Sequence, residues 1–295
     1  MELLDRVRTS VLVADGAMGT QLQLAGLAIG GGGEAWNVEH PDRVLAIHHA
    51  YLAAGSDIIL TNSFGASRWA LARHGLADRL EELNRAAAVL ACEAAGPGRF
   101  VLGDVGPTGE LLEPLGGMTR EALKEDASAR CRALLGAGAH GIILETLTAA
   151  DEASVAVEAA LEAGAPCVIA SFAFDRRPNG RVRTMMGLSP AEAGALARAS
   201  GAAMVGANCG THLAIADYAV LAAELSAAAG LPVIVQPNAG QPRLEGAHAV
   251  YDMSGDGFAD GMRAVLSAGA AVVGGCCGTG PEHIRALRTL VDSWR

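Results

Sequence analysis

The chain has 295 residues, 51% of them hydrophobic, 18% charged and 4% aromatic, with a formal net charge of -10. That acidic balance argues against nucleic acid or an anionic membrane surface as partner, since both are bound by clustered Lys and Arg, and leaves a small molecule as the default ligand. No run approaches the ~20 uninterrupted apolar residues of a membrane span, and residues 1–6 lack the charge-then-apolar layout of a secretory signal, so a cytoplasmic protein is expected.

In chain order, an apolar run near 11–15 is followed by a glycine-rich loop at 30–33 and a helical pattern over 41–54. Then come a run at 57–62 and a helix at 78–95, a run at 100–105 and a helix at 119–137, and a run at 141–146 and a helix at 150–163. The second half repeats the alternation: 167–173 with 189–200, 204–209 with 212–229, 232–237 with 256–268, and 271–276 with 281–293. Runs that are apolar on both faces read as buried parallel strands. Pro41, Thr119 with Glu121, Ser189-Pro190 with Glu192, and Gly280-Pro281 supply helix starts. Gly55, Gly138, Gly164, Gly201, Gly230 and Gly269 supply left-handed ends. Eight strands alternating with eight helices predict an α/β chain of the (β/α)8 TIM-barrel class, one domain over 1–295. An open doubly wound sheet is built from the same alternation and is the competing fold. The loop at 30–33 is no phosphate cradle, because neither a following Lys-Ser/Thr nor a GxGxxG pattern accompanies it.

In a barrel the site forms where strands end and βα loops begin. That rule gathers Asp15, Glu145, Cys209, Asn238, Cys276 and Cys277 at one mouth, although they span more than 260 positions. Six cysteines in a chain this long are too few for a disulfide scaffold. Cys92 and Cys131, in helices, and Cys167, opening a strand at the far end of the barrel, read as small packing residues. Cys209 with Cys276 and Cys277 instead reads as one soft-metal site. Three thiolates suit Zn²⁺ and leave a fourth position for water or a substrate atom; a vicinal disulfide, plain packing or a thiol-redox barrel without catalysis are the rivals. A zinc ion would favour the thiolate form of a substrate thiol, which makes methyl transfer to sulfur the natural reaction class. The carboxylates Asp15 and Glu145 suit a substrate ammonium, and the amides of Gly16 and Ala17 suit its carboxylate. His48, His49, His74 and His283 fall in helices and read as surface or packing residues; His212 reads as a polar residue at a helix start.

Four phrases, Asp15-Gly16-Ala17-Met18-Gly19-Thr20, Thr61-Asn62-Ser63-Phe64-Gly65, Gly206-Ala207-Asn208-Cys209 and Gly274-Gly275-Cys276-Cys277-Gly278-Thr279, make the chain resemble the homocysteine S-methyltransferase family from about residue 10 to about 288. The resemblance implies zinc held by Cys209, Cys276 and Cys277, with the homocysteine sulfur as incoming ligand. It implies that Asp15 and Glu145 hold the amine, and that the amides of Gly16 and Ala17 receive the carboxylate. Ser63, Phe64 and Asn208, within the family phrases, are further substrate-side candidates, and Asn238 matches a position that fills the metal site before substrate arrives. Betaine or another small methyl-onium compound is the expected donor, with Trp36 on the donor side because a quaternary ammonium favours aromatic faces. A separate methyl-corrinoid protein and S-methylmethionine are the alternatives; the chain ends with the barrel, so no attached folate or corrinoid module is expected. Alanine-rich surface helices are compatible with a homo-oligomer.

Overall fold

The computed structural model describes residues 2–245 and 248–294. Of the expected domain 1–295, residues 1, 246, 247 and 295 lie outside the described residues. The eight barrel strands are β1 (Leu12–Val13), β2 (Ile58–Leu60), β3 (Phe100–Val105), β4 (Gly141–Leu147), β5 (Val168–Phe172), β6 (Met204–Asn208), β7 (Val233–Gln236) and β8 (Val272–Val273). They are parallel, in the order β1-β8-β7-β6-β5-β4-β3-β2. The ring closes between β1 and β2 through the Ala14–Ile58 bridge and the Asp57 N–H donating to Val13 O at 2.7 Å. Closure excludes the open doubly wound sheet and gives the expected (β/α)8 barrel.

The outer helices are α1 (Pro41–Ala54), α2 (Leu80–Ala95), α3 (Arg120–Gly136), α4 (Ala150–Glu162), α5 (Pro190–Ala199), α6 (Ile215–Ala229), α7 (Gly255–Ser267) and α8 (Pro281–Ser293). The predicted start signals act as caps: Thr119 Oγ1 accepts from Ala122 N, and Ser189 with Glu192 forms a reciprocal capping box. Each of the six predicted helix-ending glycines has positive φ, from 62° at Gly230 to 108° at Gly55 and Gly138.

Side chains alternate across each strand with period two. Val13, Ile142, Leu144, Val205, Val233, Val235 and Val273 pack outward with the helices. Leu12, Ala14, Leu102, Ile143, Ile169, Met204, Ile234 and Val272 fill the barrel interior together with Cys167, and Leu3 and Val7 of the helix Leu3–Thr9 plug its lower end. One step of two residues above that apolar layer, the inward positions become Asp104, Glu145, Ser171, Asn208 (two steps above Met204) and Gln236, all buried. The barrel thus changes from aliphatic to polar at its upper end, which is where the site forms.

Several elements differ from the expectation. Short helices at Leu3–Thr9, Met18–Leu24, Trp36–Glu39 and Arg68–Ala72 occupy the N-terminus and the βα loops, and hairpins pair Phe174–Arg176 with Val182–Thr184 and Arg243–Glu245 with His248–Val250. They are too short for a periodic signal. The strands expected at 11–15 and 271–276 are two residues long, although inter-strand hydrogen bonds continue beyond them, from Gly274 N–H to Val235 O and from Gly275 N–H to Asp15 O, both at 3.0 Å. The helix expected from 212 begins at Ile215, so His212 sits before it in an exposed left-handed turn, its N–H donating to Gln241 Oε1. His74 lies in a turn after Arg68–Ala72 rather than in a helix.

Candidate active site

A cavity of about 480 Å³ opens at the upper end of the barrel, lined by Asp15, Gly16, Ala17, Glu34, Ser63, Phe64, Asp104, Glu145, Gln236, Cys209, Cys276 and Cys277 among others. The cysteines come from strand ends separated by β7. The Cys209 N–H donates to Gln236 O at 3.2 Å and the Cys276 N–H to Pro237 O at 2.8 Å, so consecutive carbonyls at the end of β7 hold both thiol-bearing segments. Cys209 itself adopts φ 53°, followed by Gly210 at φ 94°, which turns its sulfur back toward the β8 end. The Cys209 and Cys276 sulfurs each lie 4.0 Å from that of Cys277, and all three fall within 4.8 Å of one another. No disulfide joins them.

Tetrahedral zinc with Zn–S bonds of ~2.3 Å places its sulfurs ~3.8 Å apart, so this triad fits one ion with little adjustment. The thiols share protons unequally: hydrogen bonds from Cys276 and Cys277 pull Cys209 down to about 3, while its thiolate raises Cys276 and pushes Cys277 up to about 11. Such a triad carries one thiolate readily and releases two protons on binding a metal. Asn238 stands beside it. Its amide nitrogen donates to Gly210 O at 3.1 Å, while its buried oxygen has no hydrogen-bond partner. The Asn238 amide also hydrogen-bonds the Cys209 sulfur, which places this side chain at the edge of the triad. Tyr218 OH donates to the Cys209 carbonyl, and Tyr251 hydrogen-bonds Cys277 from above Gly278, where a Cβ would come within 2.2 Å of the ring.

The floor of the cavity is acidic. Asp15 is raised well above the usual carboxylate range, by burial and by Glu145, against a lowering hydrogen bond from Leu60 N at 2.9 Å. Glu145 is raised to about 7 by burial and by Cys209, partly offset by a hydrogen bond with Gln236. Asp104 is raised by burial and by Glu145 and Asp15. Buried like charges with no cation among them favour neutral forms, and a bound ammonium would reverse that balance.

Of the two amides expected to receive a carboxylate, Ala17 N–H is already engaged by Thr279 Oγ1 and O, both at 3.2 Å. Among the described residues Gly16 N–H has no protein acceptor. Thr279 also donates to Cys276 O at 2.6 Å and so ties the first loop to the thiol turn. Ser63 and Phe64 line the cavity as expected, Phe64 being 41% exposed at the rim. Asn208 does not line it. Its oxygen accepts from Thr146 N at 3.1 Å and Ser171 Oγ at 2.7 Å, and its nitrogen donates to Thr146 Oγ1 at 2.9 Å. Trp36 is also outside the lining: its buried ring packs edge-on to His40 with the Arg43 guanidinium 4.9 Å from the ring centroid. Its faces meet His40 and Arg43 rather than the cavity.

Asp104, Glu34 and Gln236 were not singled out from sequence, although the spacing that places Glu145 two residues beyond inward Ile143 also places Asp104 beyond Leu102 and Gln236 beyond Ile234. Glu34 is fixed by Gly65, whose N–H donates to it at 2.8 Å and where a Cβ would collide with it. The interlock of the first two loops continues through Asn62, which donates to Gly33 O and Asn37 Oδ1.

A closed barrel whose mouth gathers three convergent thiols beside buried carboxylates is a (β/α)8 fold with a candidate soft-metal site. The family model for homocysteine S-methyltransferase matches residues 12–291, and the chain belongs to that family. It is 32% identical over 308 residues to a methionine synthase of Mycobacterium leprae and 33% identical over 306 residues to one of Mycobacterium tuberculosis, alignments that cover 98% of this chain and 25% of each relative. The chain thus spans about a quarter of the length of these curated relatives. Among solved structures, the metallated form of the homocysteine methyltransferase MmuM from Escherichia coli superposes with a TM-score of 0.77 at 28% identity, covering 97% of this chain and 98% of that one. Among the described residues no helix is long and apolar enough to cross a membrane.

Proposed function

We propose that the chain transfers a methyl group from betaine or another small methyl-onium compound to the thiol of homocysteine, giving methionine, with Zn²⁺ held by Cys209, Cys276 and Cys277. The observation that carries this reading is the placement of the sulfur triad and the acidic floor in one cavity, since homocysteine carries a thiol joined through two methylenes to the α-carbon that bears its ammonium. When bound, the metal supplies a Lewis acid that keeps the substrate sulfur deprotonated near neutral pH.

The chain's own groups orient the amino acid. Asp15 and Glu145 accept the ammonium, and Gly16 N–H receives the carboxylate, while Thr279 fixes Ala17 beside it. Asn238, whose amide meets the Cys209 sulfur, would be the residue to complete the metal's ligand set in the absence of the thiol. The methyl carbon then forms its bond to homocysteine sulfur as the bond to the donor heteroatom breaks. That electron pair stays on the heteroatom and neutralises the onium. Glu34 and the acidic floor favour a cationic donor electrostatically. Phe64 is the single aromatic of the lining, so cation attraction here rests on carboxylates more than on ring faces.

A second reading, in which a separate methyl-corrinoid protein delivers the methyl group, is favoured by the likeness to the methionine synthases. The test is methionine formation by the zinc-loaded chain with homocysteine and, in separate reactions, betaine, dimethylsulfoniopropionate, S-methylmethionine, S-adenosylmethionine, methyltetrahydrofolate and methylcobalamin. Turnover with a small onium supports the first reading. Turnover only with a methylated corrinoid supports the second, and failure to bind homocysteine removes both.

A further inference from the structure

Asp104 is a buried carboxylate without a partner. It is 6% exposed, lines the cavity, and its Oδ1 makes no hydrogen bond. Among the described residues no cation pairs with it. Arg130, the nearest in electrostatic effect, spends Nε on Asp126 at 2.9 Å and Nη1 on Gly106 O at 2.9 Å. The other buried acids are better served: Asp15 accepts from Leu60 N, and Asp126 is paired with Arg130 and accepts from Arg68 N at 2.8 Å. A buried carboxyl oxygen with nothing to bond is unfavourable whether or not the group carries its proton, so a ligand group that completes it is the expected remedy.

The protein also fixes Asp104 in place. Its N–H donates to Thr61 Oγ1 at 2.9 Å, its carbonyl accepts from Ser63 Oγ at 2.7 Å, and these two hydroxyls are bonded to each other at 2.6 Å. Two hydroxyls of one loop thus clamp the backbone of one residue, while the side chain between them is left free on the cavity side. The inward register from Leu102 aims it at the same space as Glu145 on the neighbouring strand.

We propose that Asp104 is a specificity-determining residue that joins Asp15 and Glu145 in a three-carboxylate seat for the substrate's α-ammonium, so that the site admits amino-acid thiols and rejects thiols lacking the amine. The proposal rests on the homocysteine reading above. An ammonium offers three N–H donors, and three carboxylates from the ends of β1, β3 and β4 give each a charged acceptor. A thiol acid without the amine leaves all three carboxylates without a cation and Asp104 Oδ1 without any partner, an arrangement that discriminates strongly.

The test compares homocysteine with 4-sulfanylbutanoate, which keeps the thiol, chain and carboxylate but lacks the amine, in calorimetric titrations of the zinc-loaded full chain. Wild type prefers homocysteine. In Asp104→Asn and Asp104→Ser that preference falls about tenfold or more, the loss confined to homocysteine, with zinc content unchanged. An unchanged preference, equal weakening of both thiols, loss of zinc, or failure of both variants to fold would each overturn the proposal. Glu145→Gln run in parallel separates it from the underlying reading: if that change narrows the preference and Asp104→Asn does not, the seat lacks Asp104 while homocysteine binding stands. If the wild type binds neither thiol, both fall together.

Discussion

The sulfurs of Cys209 and Cys277, 68 positions apart in the chain, lie 4.0 Å from each other at the mouth of the barrel. Their meeting depends on β7, whose last carbonyls accept from Cys209 N and whose next residue, Pro237, accepts from Cys276 N. Each thiol is expected to be a metal ligand, so Cys209→Ser, Cys276→Ser and Cys277→Ser should each weaken zinc binding by about 100-fold or more while leaving the barrel folded. Competition with a chromophoric chelator measures this. Retention of wild-type zinc affinity in any one variant would remove that cysteine from the site.

Glu145 sits between the acidic floor and the triad, close enough to Cys209 for that thiolate to raise its proton affinity. If it accepts the substrate ammonium, Glu145→Gln keeps the shape and removes the charge, and homocysteine affinity should drop about tenfold with zinc retained. Titration of zinc-loaded protein followed by metal analysis of the same sample gives both numbers. Equal homocysteine affinity in the variant and the wild type rules out the ammonium contact.

Asn208 holds Thr146 in a left-handed conformation, φ 61°, which a β-branched residue adopts only under constraint. Thr146 follows Glu145, so the amide sets the direction of the carboxylate without entering the cavity. Asn208→Ala breaks one buried and two part-buried hydrogen bonds and releases that constraint. A loss of about 3 kcal/mol in unfolding free energy is expected, with a raised KM for homocysteine and unchanged zinc content. A raised KM with unaltered stability would mean that Asn208 meets the substrate directly.

The barrel was legible because runs such as Gly141–Leu147 and Met204–Asn208 are buried on both faces and end in polar residues at a fixed place. The convergence of the three thiols was legible for the same reason, since Cys209 and Cys276 follow corresponding strand ends. Asp104 was harder to see: every residue of Phe100–Val105 is buried, so burial alone does not say which side chains point inward. Its register against Ile143 and Glu145 does. The packing of Trp36 was not legible, because its orientation depends on His40 and Arg43 of the following segment, a tertiary choice that local pattern does not encode. Asn208 lay in a recognisable phrase, but its partners are Thr146 and Ser171, 62 and 37 positions away.

His48 gives a pH prediction independent of the active site. It is fully buried in α1, neither ring nitrogen has a hydrogen-bond partner, and burial, with a smaller effect of His49, lowers it from 6.5 to about 4. The unfolded chain therefore takes up this proton near pH 6.5 and the folded chain only near 4. Between those values the unfolded state binds more protons, so stability is complete above pH 6.5 and falls as the pH is lowered toward 4. The gap corresponds to about 3 kcal/mol from this one residue. His48→Leu removes the titrating group, so its unfolding free energy should decline less than that of the wild type between pH 6.5 and 4, by about 3 kcal/mol. Because the neutral ring also buries a donor and an acceptor without partners, the variant should be no less stable at pH 7.5. Urea unfolding across this pH range measures both effects. Parallel acid limbs for the two proteins would show that the folded chain protonates His48 as readily as the unfolded one.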